Sequence, residues 1–281
     1  MLYTQLNNGV EMPLLGFGVF QIPDHAQCER VLTDALGVGY RLVDTAQAYF
    51  NEEAVGKAIK NSGVPRDQIF LTSKVWISNA GDQAAAASID ESLRKLGTDY
   101  LDLMLIHQPF GDYYGTYRAL EQALKDGKCR AIGLSNFFAD RLVDLCLHVE
   151  VMPHVNQMET HVFQQQATLR PILGEYKIAL QAWGPLAEGK NNFFQQPVLT
   201  EIGAKYHKSA AQVALRFLVQ SGISAIPKAS SREHMEQNFA LFDFELSAED
   251  MTQIQALDGG QSLFCNHNDP GFVKALSGLK A

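Results

Sequence analysis

Eight short apolar runs, separated by amphipathic stretches, constrain the fold of this chain more than any other feature. Most are apolar on both faces, as strands buried in a parallel sheet must be. One strand followed by one helix, repeated eight times over about 240 residues without a linker, predicts an α/β fold of the closed (β/α)8 barrel type. The runs are residues 14–17, 41–44, 69–74, 101–107, 131–135, 155–158, 179–182 and 225–228.

Local signals support this pattern. Ile89, Leu93 and Leu96 recur at helical spacing, and Gly97 follows them as a helix stop. The dipeptide Asn8-Gly9 predicts a β-hairpin turn before the first run. A doubly wound sheet is the weaker alternative, because the G-x-G-x-x-G turn that it needs is represented only by its first two glycines.

Composition and charge exclude several classes of protein. The 281 residues are 46% hydrophobic and 19% charged, which is typical of a globular chain and not of a disordered one. A net charge of −8 without a basic run argues against nucleic acid or an anionic membrane as partner. No stretch approaches about 18 consecutive apolar residues, and the N-terminus lacks a signal-peptide layout. We expect one domain over residues 1–281 in a cytoplasmic protein.

The cysteines do not form a metal or disulfide pattern. Cys28, Cys129, Cys146 and Cys265 are far apart, with no C-x-x-C pair and no histidine at ligand spacing. We therefore expect inert thiols and no metal.

Polar residues end several of the predicted strands, where a β/α barrel has its active site. Asp44, Lys74 and His107 each end an apolar run, and Tyr49 lies in the loop after Asp44. Each has an ordinary explanation: Asp44 as a turn cap, Lys74 as a surface lysine, His107 as a core histidine and Tyr49 as a loop aromatic. Asn51 is placed to cap the helix that follows.

Brought together, these four side chains make a proton donor. A tyrosine titrates near pH 10, so acting as an acid near neutrality needs a pKa lower by about three, or roughly 4 kcal/mol. A cation at about 4 Å supplies roughly that energy at an effective dielectric near 20. Lys74 beside Tyr49, held by Asp44, is therefore expected to lower the tyrosine pKa. Neutral His107 would hydrogen-bond a substrate carbonyl.

The segments around these residues resemble the aldo-keto reductases, in particular the bacterial branch that includes 2,5-diketogluconate and methylglyoxal reductases. The resemblance extends over about residues 3 to 258 and implies reduction of carbonyls with NADPH, with Asp44, Tyr49, Lys74 and His107 as catalytic tetrad. The segments are D-T-A-Q-A-Y-F-N-E at 44–52, L-T-S-K-V-W at 71–76, L-G-T-D-Y-L-D-L-M-L-I-H-Q-P at 96–109, A-I-G-L-S-N-F at 131–137, V-N-Q-M-E at 155–159 and I-P-K-A-S-S at 226–231.

The resemblance also implies binding residues. Trp183 matches the aromatic on which a nicotinamide stacks, although a core tryptophan is an equal alternative. Phe20 and Trp76 match substrate-pocket aromatics, with ordinary loop packing as the alternative. The implied cofactor-binding residues are Asp44, Ser135, Asn136, Gln157, Trp183, Leu186, Lys228, Ser230, His234 and Asn238, and the implied substrate-binding residues are Phe20, Trp76 and His107.

The chain departs from the family pattern at the adenosine end of the cofactor. The family usually has Ser after the Lys and Arg six residues after it, where this chain has Ala229 and His234. An imidazole is mostly neutral at pH 7.5 and cannot grip a 2′-phosphate as a guanidinium does. We expect NADPH to be preferred because Lys228 is retained, with NADH usable as a second cofactor.

Two other functions stay open at this point: a non-catalytic NADP-binding barrel with a regulatory or structural role, and a lyase that uses Lys74 as a Schiff base. The resemblance implies that the loops after strands 4 and 7 and the C-terminal tail set substrate specificity. They are short compared with those of the steroid-reducing branch of the family, which favours small or polar carbonyls such as methylglyoxal, diketo-sugar acids or aromatic aldehydes. The resemblance implies a monomer.

Overall fold

The computed structural model describes residues 1–280 of the chain. The strands are β1 Tyr3–Gln5, β2 Glu11–Pro13, β3 Phe17–Gly18, β4 Leu42–Asp44, β5 Phe70–Val75, β6 Leu103–Ile106, β7 Ile132–Ser135, β8 Val155–Glu159, β9 Ala179–Trp183 and β10 Ser224–Ala225. The helices are α1 His25–Val38, α2 Glu52–Asn61, α3 Asp82–Leu96, α4 Tyr113–Lys125, α5 Ala139–Cys146, α6 Leu169–Glu175, α7 Pro197–Tyr206, α8 Ala210–Gln220, α9 Arg232–Phe239, α10 Ala248–Gln255 and α11 Pro270–Ser277. Over residues 1–280, no helix is both long and apolar enough to cross a bilayer.

The eight parallel strands β3 to β10 follow one another around the sheet in chain order. Its two ends meet at a parallel bridge between Leu15 and Ala225, where the Gly16 amide donates to the Ala225 carbonyl at 2.8 Å. The Ala225 amide in turn donates to the Leu14 carbonyl at 2.9 Å. The sheet therefore closes on itself, and the predicted (β/α)8 barrel is confirmed.

The first and last barrel strands are shorter than the predicted runs and are shifted along the chain. β3 begins at Phe17 instead of residue 14, and β10 ends at Ala225 instead of residue 228. Pro227 has no N–H, so regular pairing cannot continue past this point. Of the two glycines that suggested a dinucleotide-binding turn, Gly16 serves packing instead, because a Cβ there would lie 2.3 Å from Leu42 Cδ2.

The predicted hairpin covers the opposite end of the barrel from the loops that follow the strands. β1 and β2 pair antiparallel, and Gly9 takes a φ of +88° at the turn. Leu6 and Met12 are buried in the cluster that fills the barrel interior, together with Leu42, Phe70, Leu103, Leu105, Ala131, Val155 and Ile226. The barrel is a packed core, and its ligand-accessible end is the one where the strands finish.

The predicted end of α3 is confirmed, because Gly97 follows Leu96 in the left-handed conformation with a φ of 64°. The expectation for Asn51 is wrong: its side chain makes no cap hydrogen bond to α2. Instead its Nδ2 donates to the Val19 and Ile22 carbonyls, and its Oδ1 accepts from Thr45 Oγ1 at 2.7 Å. Asn51 therefore joins the loop after β3 to the loop after β4.

Candidate active site

Three of the four predicted tetrad residues line one cavity of about 830 Å³ at the carboxyl ends of the barrel strands: Asp44, Tyr49 and His107. Asp44 ends β4, and Tyr49 ends a short 3₁₀ turn over Gln47–Tyr49. His107 follows β6 directly. Lys74, near the end of β5, lies behind these side chains and is fully buried. Adjacent strands therefore bring all four together.

Lys74 is held by three acceptors. Its Nζ lies 2.6 Å from Asp44 Oδ1, 2.8 Å from the Thr45 carbonyl and 3.3 Å from the Tyr49 hydroxyl. An ammonium group has three hydrogens, so all of them are engaged. The phenol and the ammonium that the sequence predicted to be neighbours are in hydrogen-bond contact.

The direction of the tyrosine shift differs from the prediction. Burial raises the pKa of the Tyr49 phenol; Lys74 lowers it, Asp44 raises it, and the net direction is upward. The expectation that Lys74 lowers the pKa of Tyr49 below its usual value is therefore wrong, because the desolvation of the phenol outweighs the attraction of the lysine charge. For Lys74, burial opposes the charge, but Asp44 and Tyr49 outweigh it and the pKa is raised. The pair is held as a neutral phenol and a charged ammonium.

His107 is buried and in its neutral form. Burial first, and then the charge of Lys74, hold the pKa of His107 well below its usual range. Its Nδ1 is buried without a hydrogen-bond partner among the described atoms. The tautomer with its proton on Nε2 leaves no buried N–H unpaired, so we assign this one. The neutral imidazole expected from the sequence is the form that the site favours.

The residues predicted to bind the nicotinamide end line the same cavity. Ser135 ends β7 and Asn136 follows it directly, whereas Gln157 lies in the middle of β8. Trp183 ends β9. Trp183 Nε1 donates to Asn136 Oδ1 at 2.9 Å, and Asn136 Nδ2 donates to the His107 carbonyl at 3.2 Å. The tryptophan is half-buried at the cavity wall, which disfavours the core alternative.

The residues predicted for the adenosine end are less closely assembled. Leu186 and Lys228 line the cavity, and the exposed Lys228 Nζ donates to Gln21 Oε1 at 2.9 Å. Ser230 and His234 are exposed, Asn238 is buried in α9, and none of these three described residues lines the cavity. α9 begins after Ser231, as expected.

Comparison with known proteins decides the family. The aldo/keto reductase family model matches residues 14–259. The chain belongs to this family. It is 46% identical over 256 residues to the glyoxal reductase of Bacillus subtilis (strain 168), covering 91% of this chain and 92% of that protein.

Solved structures agree. MGS-M4, an aldo-keto reductase enzyme from a Medee basin deep-sea metagenome library, is 38% identical with a TM-score of 0.92, covering 95% of this chain and 98% of that one. A Bombyx mori aldo-keto reductase in complex with NADP is 30% identical with a TM-score of 0.90, covering 97% of this chain and 96% of that one. The chain is an oxidoreductase of the aldo/keto reductase type.

The predicted substrate-pocket aromatics flank the tetrad of this aldo/keto reductase. The Phe20 ring lies 5.0 Å from the Tyr49 ring, and the Trp76 ring lies 4.9 Å from the His107 ring. Phe20 is 50% exposed at the cavity mouth, whereas Trp76 is buried. Both residues line the cavity, and their role in binding substrate stays a prediction.

No individual residue of the C-terminal tail was predicted to reach the site, because the tail lies beyond the segments that carry the resemblance. Phe264, Cys265, His267, Leu276 and Leu279 line the cavity of this aldo/keto reductase. The Leu279 carbonyl accepts a hydrogen bond from Trp76 Nε1 at 3.0 Å. Burial raises the pKa of the Cys265 thiol to about 11, so this cavity-lining cysteine is a neutral thiol.

Two buried glutamines were also missed. Gln47 accepts from the Trp76 amide at 3.0 Å and from Asn79 Nδ2 at 2.9 Å, and thereby joins the turn that carries Tyr49 to the end of β5. Gln181 is fully buried on β9. The signal available for Gln181 was a glutamine inside an otherwise apolar strand, which needs partners when buried.

Proposed function

We propose that this aldo/keto reductase reduces aldehydes and ketones to alcohols with NADPH and that Tyr49 is the proton donor. The observation that carries the proposal is the contact of 3.3 Å between the Tyr49 hydroxyl and Lys74 Nζ, in the wall of a cavity that His107 and Trp183 also line. The identity of 46% to a protein named glyoxal reductase supports small reactive carbonyls as substrates. We propose methylglyoxal, diketo-sugar acids and aromatic aldehydes as the set to examine.

The residues of the cavity fit NADPH. Gln157 and Ser135 offer an amide and a hydroxyl for a carboxamide, Trp183 offers an aromatic face, and Lys228 offers a cation for a phosphate. A structural relative that was solved in complex with NADP supports the choice of cofactor. When bound, NADPH supplies the hydride.

The protein's own groups handle the proton. Tyr49 donates its hydrogen to the carbonyl oxygen of the substrate, and Lys74 at 3.3 Å stabilises the phenolate as it forms. Asp44 holds the ammonium of Lys74 in place at 2.6 Å. His107, as a neutral donor, hydrogen-bonds the same carbonyl oxygen and orients it. The raised pKa values of Tyr49 and Lys74 keep both protons in place until a substrate accepts one.

The function is tested by following absorbance at 340 nm while the protein is mixed with NADPH and methylglyoxal. A steady decline that depends on both compounds is expected. A barrel that binds NADP without catalysis predicts no decline with any aldehyde, and that result across the three substrate types would overturn the proposal.

The Schiff-base alternative is disfavoured by the state of Lys74. A Schiff base forms from a neutral amine, and the ion pair with Asp44 raises the pKa of Lys74 instead of lowering it. Borohydride reduction in the presence of a keto substrate gives a direct check. An adduct on Lys74, detected by mass spectrometry, would favour the lyase.

We also propose that NADH serves as a second cofactor, because His234 stands where the family usually has arginine. The test is the ratio of the KM values for NADH and NADPH. A modest ratio is expected, and a ratio above roughly several hundred, equivalent to more than about 3 kcal/mol of discrimination, would refute NADH as a usable cofactor.

We propose that the enzyme acts as a cytoplasmic monomer. The acidic balance of 23 basic against 31 acidic residues supports a protein without nucleic-acid or membrane partners. Light scattering in solution is expected to give the mass of one chain.

A further inference from the structure

We propose that Gln181, inside the barrel beneath the cavity, is a positioning residue: it fixes the amide of Gln157 so that only the Gln157 oxygen faces a ligand. This inference rests on the proposed function, because the ligand concerned is the carboxamide of a nicotinamide cofactor. Gln181 itself does not line the cavity, so it acts through Gln157.

The residues involved form one layer of the barrel interior. Gln157 on β8 is the register partner of Gln181 on β9, and Gln181 is the register partner of Ser224 on β10. All three are at most 2% exposed. Asp44 reaches this layer from β4, because its Oδ2 accepts from Gln157 Nε2 at 2.8 Å. The layer therefore connects the tetrad to the opposite wall of the barrel.

The chemistry at the tetrad end determines how the Gln157 amide points. Asp44 is in an ion pair with Lys74, so its carboxylate can only accept hydrogen bonds. Gln157 must therefore present its NH₂ group to Asp44. The same nitrogen donates to Gln181 Oε1 at 2.7 Å. With both hydrogens engaged, Oε1 is the atom of the Gln157 amide that is left for a ligand.

The far end fixes the same direction independently. Gln181 Nε2 donates to Ser224 Oγ at 3.3 Å, and Ser224 Oγ donates to the Pro13 carbonyl at 2.9 Å. A backbone carbonyl can only accept, so the serine hydrogen points to the hairpin and its lone pair faces Gln181. Gln181 must then turn its NH₂ toward Ser224 and its oxygen toward Gln157. Neither glutamine can flip without leaving buried groups unpaired.

The consequence is selectivity for a ligand group that donates. A Gln157 oxygen held toward the cavity accepts a hydrogen bond from the NH₂ of a carboxamide. Without the Gln181 acceptor, one Gln157 hydrogen loses its partner, and the amide is held by Asp44 alone. Recognition of the NH₂ group should then weaken, whereas contacts to the rest of the cofactor should persist.

The test compares the dissociation constants of NADP⁺ and of its 3-acetylpyridine analogue, in which a methyl group replaces the carboxamide NH₂. Both are measured by quenching of tryptophan fluorescence without a carbonyl substrate, so no turnover is needed. The wild-type protein is expected to bind NADP⁺ roughly tenfold more tightly than the analogue, the worth of one good hydrogen bond. Gln181→Met should reduce this preference to about twofold, because it weakens the binding of NADP⁺ and leaves the binding of the analogue unchanged.

Matched variants separate positioning from structural support. Gln181→Glu, buried and therefore protonated, keeps an acceptor oxygen for Gln157 and a hydrogen for Ser224 Oγ, so it should retain the preference. Thr72→Val should also retain the preference. Thr72 is fully buried and is the register partner of Asp44. Its Oγ1 has no hydrogen-bond partner among the described atoms, so the substitution removes no hydrogen bond. Should Gln181→Met fail to fold, Gln181→Asn, which withdraws the acceptor by one methylene, takes its place.

The inference is overturned if Gln181→Met weakens the binding of NADP⁺ and of the analogue equally, or leaves the preference for NADP⁺ unchanged. Loss of that preference in Gln181→Glu would overturn it as well. Failure of the proposed function looks different: the wild-type protein would not bind NADP⁺, or would bind it without any decline at 340 nm. The two outcomes are therefore distinguishable.

Discussion

The two ends of the cavity are built in different ways. At the tetrad, Lys74 is fully buried and its three acceptors come from the chain itself. At the mouth, Lys228 is exposed, and its Nζ donates to Gln21 Oε1 within the described part of the chain. The first end is preorganised by rigid strand ends, so its polar groups are tied to stability as well as to rate. The second end is a surface on which affinity can change without any cost to the fold.

The largest expected effect follows from Lys74→Met. It removes the cation beside Tyr49 and leaves the buried carboxylate of Asp44 without its ion-pair partner. We expect turnover to fall by about 1,000-fold and the free energy of unfolding to fall by about 3 to 5 kcal/mol. Urea unfolding and NADPH consumption measure the two losses. A variant as stable as the wild type would show that the buried end is not tied to stability.

The next effect concerns acid stability. Burial lowers the pKa of His267, a buried cavity-lining residue of the tail, to about 4. The unfolded chain then binds more protons between pH 6.5 and pH 4, so stability is present above this window and is lost as the pH falls through it. His267→Gln should reduce the loss of unfolding free energy between pH 7 and pH 4 by roughly 2 to 3 kcal/mol.

Urea titrations at both pH values measure that difference. His107 and His154 also have lowered pKa values through burial, so the variant should keep part of the acid slope. An identical slope in the wild type and in His267→Gln would show that the tail is not closed over the cavity at neutral pH.

The smallest effect is expected at the exposed mouth. Lys228→Met should raise the KM for NADPH by about tenfold, because it removes one charge from a partly solvated phosphate contact. It should leave kcat, the KM for NADH and the unfolding midpoint unchanged. If the variant raises the KM for NADPH and the KM for NADH equally, Lys228 does not contact the 2′-phosphate.

The same contrast describes what the sequence could predict. Asp44, Lys74 and His107 each end an apolar run, so the barrel itself implies that they meet. The direction of the Tyr49 pKa could not be predicted, because it depends on how completely the closed site excludes water. Nor could the layer of Gln157, Gln181 and Ser224, which arises only when three strands lie side by side in register.

The tail and the loops escaped prediction for a related reason. The bond from Trp76 to the Leu279 carbonyl joins residues 203 positions apart, and no spacing rule connects them. Asn51 was expected to cap a helix because of its position in the sequence alone. Its side chain instead donates to the carbonyls of Val19 and Ile22, which are distant in sequence. Local signals predicted elements well and contacts between distant loops poorly.

Comparing wild type with Tyr49→Phe tests the central claim most directly. The measurements are the rate of NADPH oxidation with methylglyoxal and the dissociation constant of NADPH from fluorescence quenching. Loss of the donated proton predicts a rate lower by about 1,000-fold and an NADPH affinity within about twofold of wild type, since the hydroxyl acts on the substrate oxygen and not on the cofactor. A variant that keeps more than about 5% of the wild-type rate would show that another group supplies the proton.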